Sequence, residues 1–299
     1  MKSQFNKALL GSLALASILS VAPSSVNAST LINGWSYAAD STIDGSDTSG
    51  FSSSSRFNFY GAGLKQVGSE IWFAVNSNLD LNGVNLSGKQ VGYGDLLFDF
   101  SPSTSYQANH FEYGIRFAPN DNNPNSSNNG LYSNVTAQAV ALSNQGYSSL
   151  SHYASTAKNW TGNDAKIGDL AVNDPYYRDI NSTVNNPTFN SGIPNLINHG
   201  NFVSAIEFLS SSDLDAQGFN KNSMGFNGTS TYGFKFTKPQ GFQGDFVASL
   251  FFECINDSIA IKGNVKPVPV PGLALGVVFA GACGFGQVLR NKRKQKAVA

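Results

Sequence analysis

A two-residue alternation of apolar and polar side chains recurs along this chain, and it leaves few folds open. In residues 70–76, Ile71, Phe73 and Val75 alternate with Glu70, Trp72, Ala74 and Asn76; in residues 111–117, Phe111, Tyr113, Ile115 and Phe117 alternate with Glu112, Gly114 and Arg116. Tyr232, Phe234 and Phe236 repeat the pattern against Gly233, Lys235 and Thr237. Successive side chains of a strand point to opposite faces, so each run predicts a strand with one face on a core and the other toward solvent. Leu96, Phe98 and Phe100 alternate more weakly with Leu97 and Asp99, and residues 246–252 are apolar on both faces, which predicts a central strand. Further strands are predicted at 55–62, 131–142, 202–209 and 258–262. Clusters of Gly, Asn, Ser, Asp and Pro separate these runs, as turns require. Residues 148–158 are the one helix predicted between the two ends of the chain. The expected fold is all-β, an antiparallel β-sandwich or jelly roll.

The two ends read differently. Residues 1–28 have the order of a secretory signal peptide: Lys2 and Lys7, an apolar stretch over 8–22, then small Val26 and Ala28 ahead of a cleavage point before Ser29. Residues 266–299 form a Pro-rich linker, an apolar helix and a basic terminus. The 18 uncharged residues of 272–289 make a helix of about 27 Å at roughly 1.5 Å per residue, close to the roughly 30 Å of a bilayer's hydrocarbon core. Arg290, Lys292, Arg293 and Lys294 follow as a basic stop, and positive charge stays in the cytoplasm, so the expected topology places residues 29–265 outside. The chain is thus expected to hold a signal helix, one exported β-domain and a C-terminal transmembrane helix.

Charge narrows the function classes. The whole chain is formally neutral, with 19 basic and 19 acidic residues. All the acids but only eleven of the bases fall within residues 29–265, which leaves the exported part at −8. An acidic domain lacks the electrostatic footprint that binds phosphate backbones, so no nucleic-acid partner is expected. Cys254 is the only cysteine of that region. It can form no intrachain disulfide there, and its apolar neighbours predict a buried thiol.

Two resemblances sharpen the reading. Val268, Pro269, Val270 and Pro271, followed by an apolar span and a cluster of Arg and Lys, resemble the C-terminal sorting signal of exosortase-processed proteins, the PEP-CTERM class; Val270 stands where the usual signal has Glu. The segments GWSYAADSTIDGS, EIWFAVNSNLDLNG, GYGDLLFDF, IRFAPNDN, GLYSNVTAQAV and IGDL, in that order, are similar to the blocks of a cyanobacterial family of exosortase-dependent surface proteins. The resemblance implies handling by the secretion machinery and an exosortase-type enzyme, transient anchoring in the membrane, and release or transfer to the cell surface. It leaves molecular activity open.

No catalytic residues are expected. His110, His152 and His199 are isolated, and Ser155 and Lys158 match an S-x-x-K spacing without its companion elements. Asp95, Asp99 and Glu112 are the acids from which a secreted hydrolase would have to build a carboxylate pair. Calcium is the one cofactor with a candidate site: Asp40, Asp44 and Asp47 in one polar loop and Asp121 in another supply the hard oxygens that it favours. Trp72, on the face opposite Ile71, is the candidate platform for stacking a glycan, with Trp35 and Trp160 as further candidates. The leading expectation is a non-enzymatic surface or extracellular-matrix protein, with association to extracellular polysaccharide through a carbohydrate-binding module as its alternative.

Overall fold

The computed structural model describes residues 29–102, 106, 109–119, 129–177 and 193–267. The signal segment 1–28, the sorting residues Val268 to Pro271, the helix and basic stop beyond them, and Asp121 lie outside the described residues.

Eighteen strands follow one another in the described residues. In order they are β1 (Thr30–Ile32), β2 (Trp35–Ala39), β3 (Ser46–Asp47), β4 (Gly50–Phe51), β5 (Phe59–Val67) and β6 (Glu70–Ser77). Then come β7 (Val84–Leu86), β8 (Lys89–Val91), β9 (Leu96–Asp99), β10 (Phe111–Arg116), β11 (Gly130–Gln138), β12 (Lys166–Ile167) and β13 (Leu170–Ala171). The last are β14 (Leu196–Ser204), β15 (Glu207–Leu209), β16 (Ser230–Thr237), β17 (Gly244–Phe251) and β18 (Ser258–Val265). Two helices, α1 (Leu150–Thr161) and α2 (Ser211–Ala216), complete the set with short 3-10 turns.

Twelve strands build two six-stranded antiparallel sheets, ordered β1-β2-β5-β6-β16-β15 and β14-β11-β10-β9-β17-β18. The other six form small hairpins. The predicted all-β, antiparallel architecture is therefore present, and the two sheets face each other across a common core. Ile71, Phe73 and Val75 of β6 enter that core beside Phe234 and Phe236 of β16; Leu96 and Phe98 of β9 and Phe246, Ala248 and Leu250 of β17 meet them from the other sheet. Phe59 and Phe252 stack at a centroid separation of 4.0 Å, with Phe57 and Tyr93 packed against the same Phe252 ring.

The outer faces are covered as well. Leu97, Val247 and Phe251 point away from the sandwich core into a second cluster with Tyr153 of α1, Tyr177 and Ile255. Trp35, Tyr37, Trp72 and Ala74 point outward from the first sheet and are capped by Leu214 of α2, Phe219 and Phe226. The alternation thus separates two buried faces here rather than a dry face and a wet one.

Local signals explain the helices. Ser149 caps α1 by accepting from the His152 amide, and Gly162, in the left-handed region at φ 74°, ends it. The helix predicted over 148–158 is thereby moved to Leu150–Thr161. Ser210 and Asp213 form a reciprocal capping box on α2. Some strand boundaries shift too. The run predicted over 202–209 is two strands, because the chain leaves one sheet at Ser204 and joins the edge of the other at Glu207. Phe111 packs into the second cluster, while Ile115 and Phe117 of the same predicted face lie in the first. Among the described residues no helix is long and apolar enough to cross a membrane.

Truncating an aromatic at the centre of a close-packed core loses its transfer free energy and leaves a cavity. Phe252→Ala is expected to lower unfolding free energy by about 3–5 kcal/mol. Urea denaturation followed by circular dichroism checks it, and a loss below about 1 kcal/mol contradicts the central place given to this ring stack.

Candidate functional site

Where β2 ends, the chain enters a loop whose acids turn inward. Asp40 and Asp44 retain only 8% and 2% exposure, and Asp257, in the β17–β18 connection, retains none. Each binds backbone of a distant segment. The Gly168 amide donates to Asp40 Oδ1 at 3.2 Å and the Lys166 amide to Asp44 Oδ2 at 2.8 Å, which ties the loop to the β12–β13 hairpin. Asp257 Oδ2 accepts from the Phe59 amide at 2.7 Å, and its Oδ1 accepts from the Ser258 amide at 2.7 Å. Tyr153 of α1 places its hydroxyl 2.9 Å from Asp257 Oδ1 and 3.1 Å from the Asp44 carbonyl.

Two glycines let these segments approach so closely. A side chain on Gly45 would run into the Phe57 carbonyl, 2.1 Å from the position of its Cβ. Gly168 sits at φ +53° with its Cβ direction blocked by the Ala260 carbonyl at 2.4 Å; only glycine takes that conformation at no steric penalty.

Electrostatics at this point are one-sided. Burial raises the carboxyls of Asp40 and Asp257 well above the usual range, and repulsion adds to it, from Asp257 and Asp44 on Asp40 and from Asp44 on Asp257. Asp44 is pushed up to about 6, chiefly by burial and against its bond from Lys166. Burial, then the charges of Asp257, Asp44 and Asp40, also raises Tyr153. None of the three acids joins an ion pair among the described residues. Asp40 Oδ2 and Asp44 Oδ1 are buried without a hydrogen-bond partner. Among the described residues no three His, Cys, Asp or Glu side chains are grouped so that they could hold a metal ion.

Compared with protein-family models, curated proteins and solved structures, the chain matches none. Its site has to be read from its own geometry.

The expected calcium residues therefore divide. Asp40 and Asp44 converge, whereas Asp47 accepts from the Ser49 and Arg56 amides and lies 3.9 Å from the Arg56 side chain. Asp257 and Tyr153 are the members that sequence reasoning missed; Asp257 stands in a short Asn-Asp-Ser turn, where composition marks only a turn. Trp72 is 7% exposed and is no open stacking platform. Its indole donates to Glu70 at 3.2 Å, and the Lys235 ammonium lies 5.2 Å from its ring centroid. Trp35 is fully buried, and Trp160, on α1, is 66% exposed.

The strand acids weighed for hydrolysis are held by the fold. Asp95 is buried 3.8 Å from Arg116 and accepts from the Ile197 amide at 2.6 Å. Glu112 accepts from the Phe100 amide and the Ser101 hydroxyl, and Asp99 accepts from the Ser101 amide. A cavity of about 660 Å³ opens nearby, lined by Asp174, Tyr176, Asp245, Phe246 and Lys262 among others, and neither Asp99 nor Glu112 lines it. Cys254 is buried as expected, and burial drives its thiol upward, away from the reactive thiolate.

Burial also raises Asp95 and Asp169 to about 6. A carboxyl that holds its proton more tightly when folded contributes stability below its unfolded value, about 3.9, and loses that contribution as pH rises through the folded value. The melting temperature is therefore expected to fall between about pH 4 and about pH 7 in chelator. Asp169→Asn is expected to flatten part of that fall. A profile as steep in the variant as in the parent contradicts the assignment.

Proposed function

We propose that this chain is an exported, non-enzymatic cell-surface or extracellular-matrix protein, sorted through residues 266–299 and presenting its β-sandwich outward. The reading rests on one juxtaposition: β18 ends at Val265, and the Pro-rich, apolar and basic segments come directly after it in the sequence. Lys266 is fastened at that exit, its amide donating to Gln66 Oε1 at 2.9 Å while its carbonyl accepts from Gln66 and Lys238. In this reading the described domain closes at that residue and the C-terminal segment that follows it in the sequence serves as an address. The secretion machinery and an exosortase-type enzyme are the partners in this reading, with transient membrane anchoring before processing.

Intact mass measurement of the protein from its native envelope tests it. Loss of residues 1–28 and of everything after about Pro271 is the expected result. Retention through Ala299 makes the tail a lasting anchor, and retention of residues 1–28 as well removes the support for export by signal cleavage.

A second reading, association with extracellular polysaccharide, is favoured by Trp160. Its exposed ring packs 6.5 Å from Phe51 and lies close enough to Gly50 to touch the position a Cβ would take there. Sugars stack on such a ring. Glycan-array binding that falls at least about tenfold in Trp160→Ala and persists in Trp72→Phe is expected if the domain binds sugar, a loss of more than about 1.4 kcal/mol. No binding by the parent rejects this reading.

A further inference from the structure

We propose that the cavity between the β3–β4 hairpin, the turn over residues 144–147, the start of α1 and the β17–β18 connection is a subsite for a neutral saccharide. The inference rests on the polysaccharide reading above and extends it from one exposed ring to a shaped site. The cavity holds about 360 Å³, within the roughly 300–1,000 Å³ of small-molecule sites. Thr48, Gln145, Tyr147, His152 and Asn256 are among the residues that line it. Rings join it to Trp160: Tyr147 packs 6.3 Å from Phe51, and Phe51 packs 6.5 Å from Trp160. Phe51 and Tyr147 are half-buried and Trp160 is exposed, so an aromatic track leads from the platform to the cavity. A sugar ring presents the complementary pattern, with C–H faces that pack on aromatic rings and hydroxyls that need polar partners.

The polar groups of the cavity are displayed rather than consumed. Among the described residues the Thr48 hydroxyl and the Gln145 amide make no hydrogen bond. Asn256 Nδ2 donates to the Ser46 carbonyl at 3.0 Å and leaves Oδ1 open, and His152 Nδ1 lies 3.3 Å from the Ser148 hydroxyl and leaves Nε2 open. The backbone behind them is fixed. A Cβ on Gly146 would meet the Cys254 carbonyl oxygen at 1.8 Å, and the Tyr147 amide donates to that carbonyl at 3.1 Å, which holds the 144–147 turn directly against residues 254–256. Gln145, at φ +58°, and the buried Ile255, at φ +56°, both stand in the left-handed region. A β-branched residue is seldom found there. Such outliers persist where the surrounding structure over-determines them, and they cluster at ligand sites. Gln145 carries a lining side chain and Ile255 precedes another, Asn256. A site held this firmly spares a ligand the cost of ordering it.

Charge selects the kind of sugar. Among the described residues lining the cavity, Asp47 is the sole Asp, Glu, Lys or Arg. It already accepts from the Ser49 and Arg56 amides and lies 3.9 Å from the Arg56 side chain. With no Lys or Arg on the wall, and a net −8 over residues 29–265, a chain bearing uronate, sulfate or phosphate finds no partner and meets repulsion. Neutral hydroxyls meet neither obstacle.

The full chain, purified in detergent, is screened against immobilised neutral gluco-, manno-, galacto- and xylo-oligosaccharides, from dimers to hexamers, with alginate and heparin fragments as acidic chains. Binding to at least one neutral series, and weaker binding to both acidic chains, is expected. The tightest neutral oligosaccharide is then titrated by calorimetry. Gln145→Ala and His152→Ala are each expected to weaken it at least about fivefold, as the loss of a hydrogen bond does, with unchanged melting midpoints. Leu31→Ser, on β1 and outside the cavity lining, is expected to leave it unchanged. Thr48→Val keeps the test open if either of the other cavity variants folds poorly, and is expected to weaken binding too. Trp35 and Trp72 are buried, so a shift of tryptophan emission to shorter wavelength on binding is expected to come from Trp160 and to vanish in Trp160→Phe. Affinity that is lost in Trp160→Ala but kept in all three cavity variants overturns the subsite and leaves the polysaccharide reading standing. Tighter binding of alginate or heparin than of every neutral series overturns the neutral ligand, and no binding of any chain overturns both the subsite and the reading it rests on.

Discussion

The hydrogen bond from a backbone amide to a buried carboxylate is the interaction on which this structure most depends. Strand ladders satisfy most of the sheets internally, but strand ends, sheet edges and the connections between strands leave amides without a ladder partner. Acids take those amides repeatedly: Asp257 from Phe59, Asp44 from Lys166, Asp40 from Gly168, Asp169 from Lys262, Asp95 from Ile197, Glu253 from Gly92 and Glu112 from Phe100. Most of these bonds join segments distant in sequence. Charge-assisted bonds are about twice as strong as neutral ones, yet each carboxylate carries a desolvation penalty. Asp95 offsets that penalty with Arg116. Asp40, Asp44 and Asp257 have no such partner among the described residues, and the junction they form gathers more acids than any other part of the interior described.

Connections between strands also cover both outer faces. They lay α1, Tyr177 and Ile255 over one sheet, and α2, Phe219 and Phe226 over the other. A sandwich with wet outer faces needs only the inner core. Among its described residues this one has three hydrophobic clusters, and connections between strands contribute to all three.

Much of the sheet structure was legible in the sequence. The alternation in residues 70–76 locates β6 and its inward Ile71, Phe73 and Val75, and the doubly apolar run around Phe246 locates a strand buried on both sides. Periodicity assigns a side chain to a face, however, and says nothing of what covers that face. Trp72 illustrates the gap: its position opposite Ile71 is correct, but the segment carrying Leu214, Phe219 and Phe226 arrives from some 140 residues downstream and buries it. The acid junction was half legible for a related reason. Asp40 and Asp44 share a loop, whereas Asp257 joins them only through the pairing of β17 with β18 and the passage of β5 beside their connection. Asp47, equally close in sequence, faces Arg56 instead.

The fastening of Lys266 to Gln66 and Lys238 has a mechanical side. Lys266 comes directly after β18, which is paired with β17 over eight consecutive residues in antiparallel register, Gly244 opposite Val265 through Phe251 opposite Ser258. Tension applied beyond Lys266 first meets a clamp whose two side chains come from the other sheet, from β5 and from the segment after β16. Only when that clamp gives way does the load reach the ladder. A pull along the strand axis then has to shear all eight pairs together, whereas a pull across it peels them one at a time, so the clamp sets the angle at which the sandwich resists a force applied to the chain beyond Lys266.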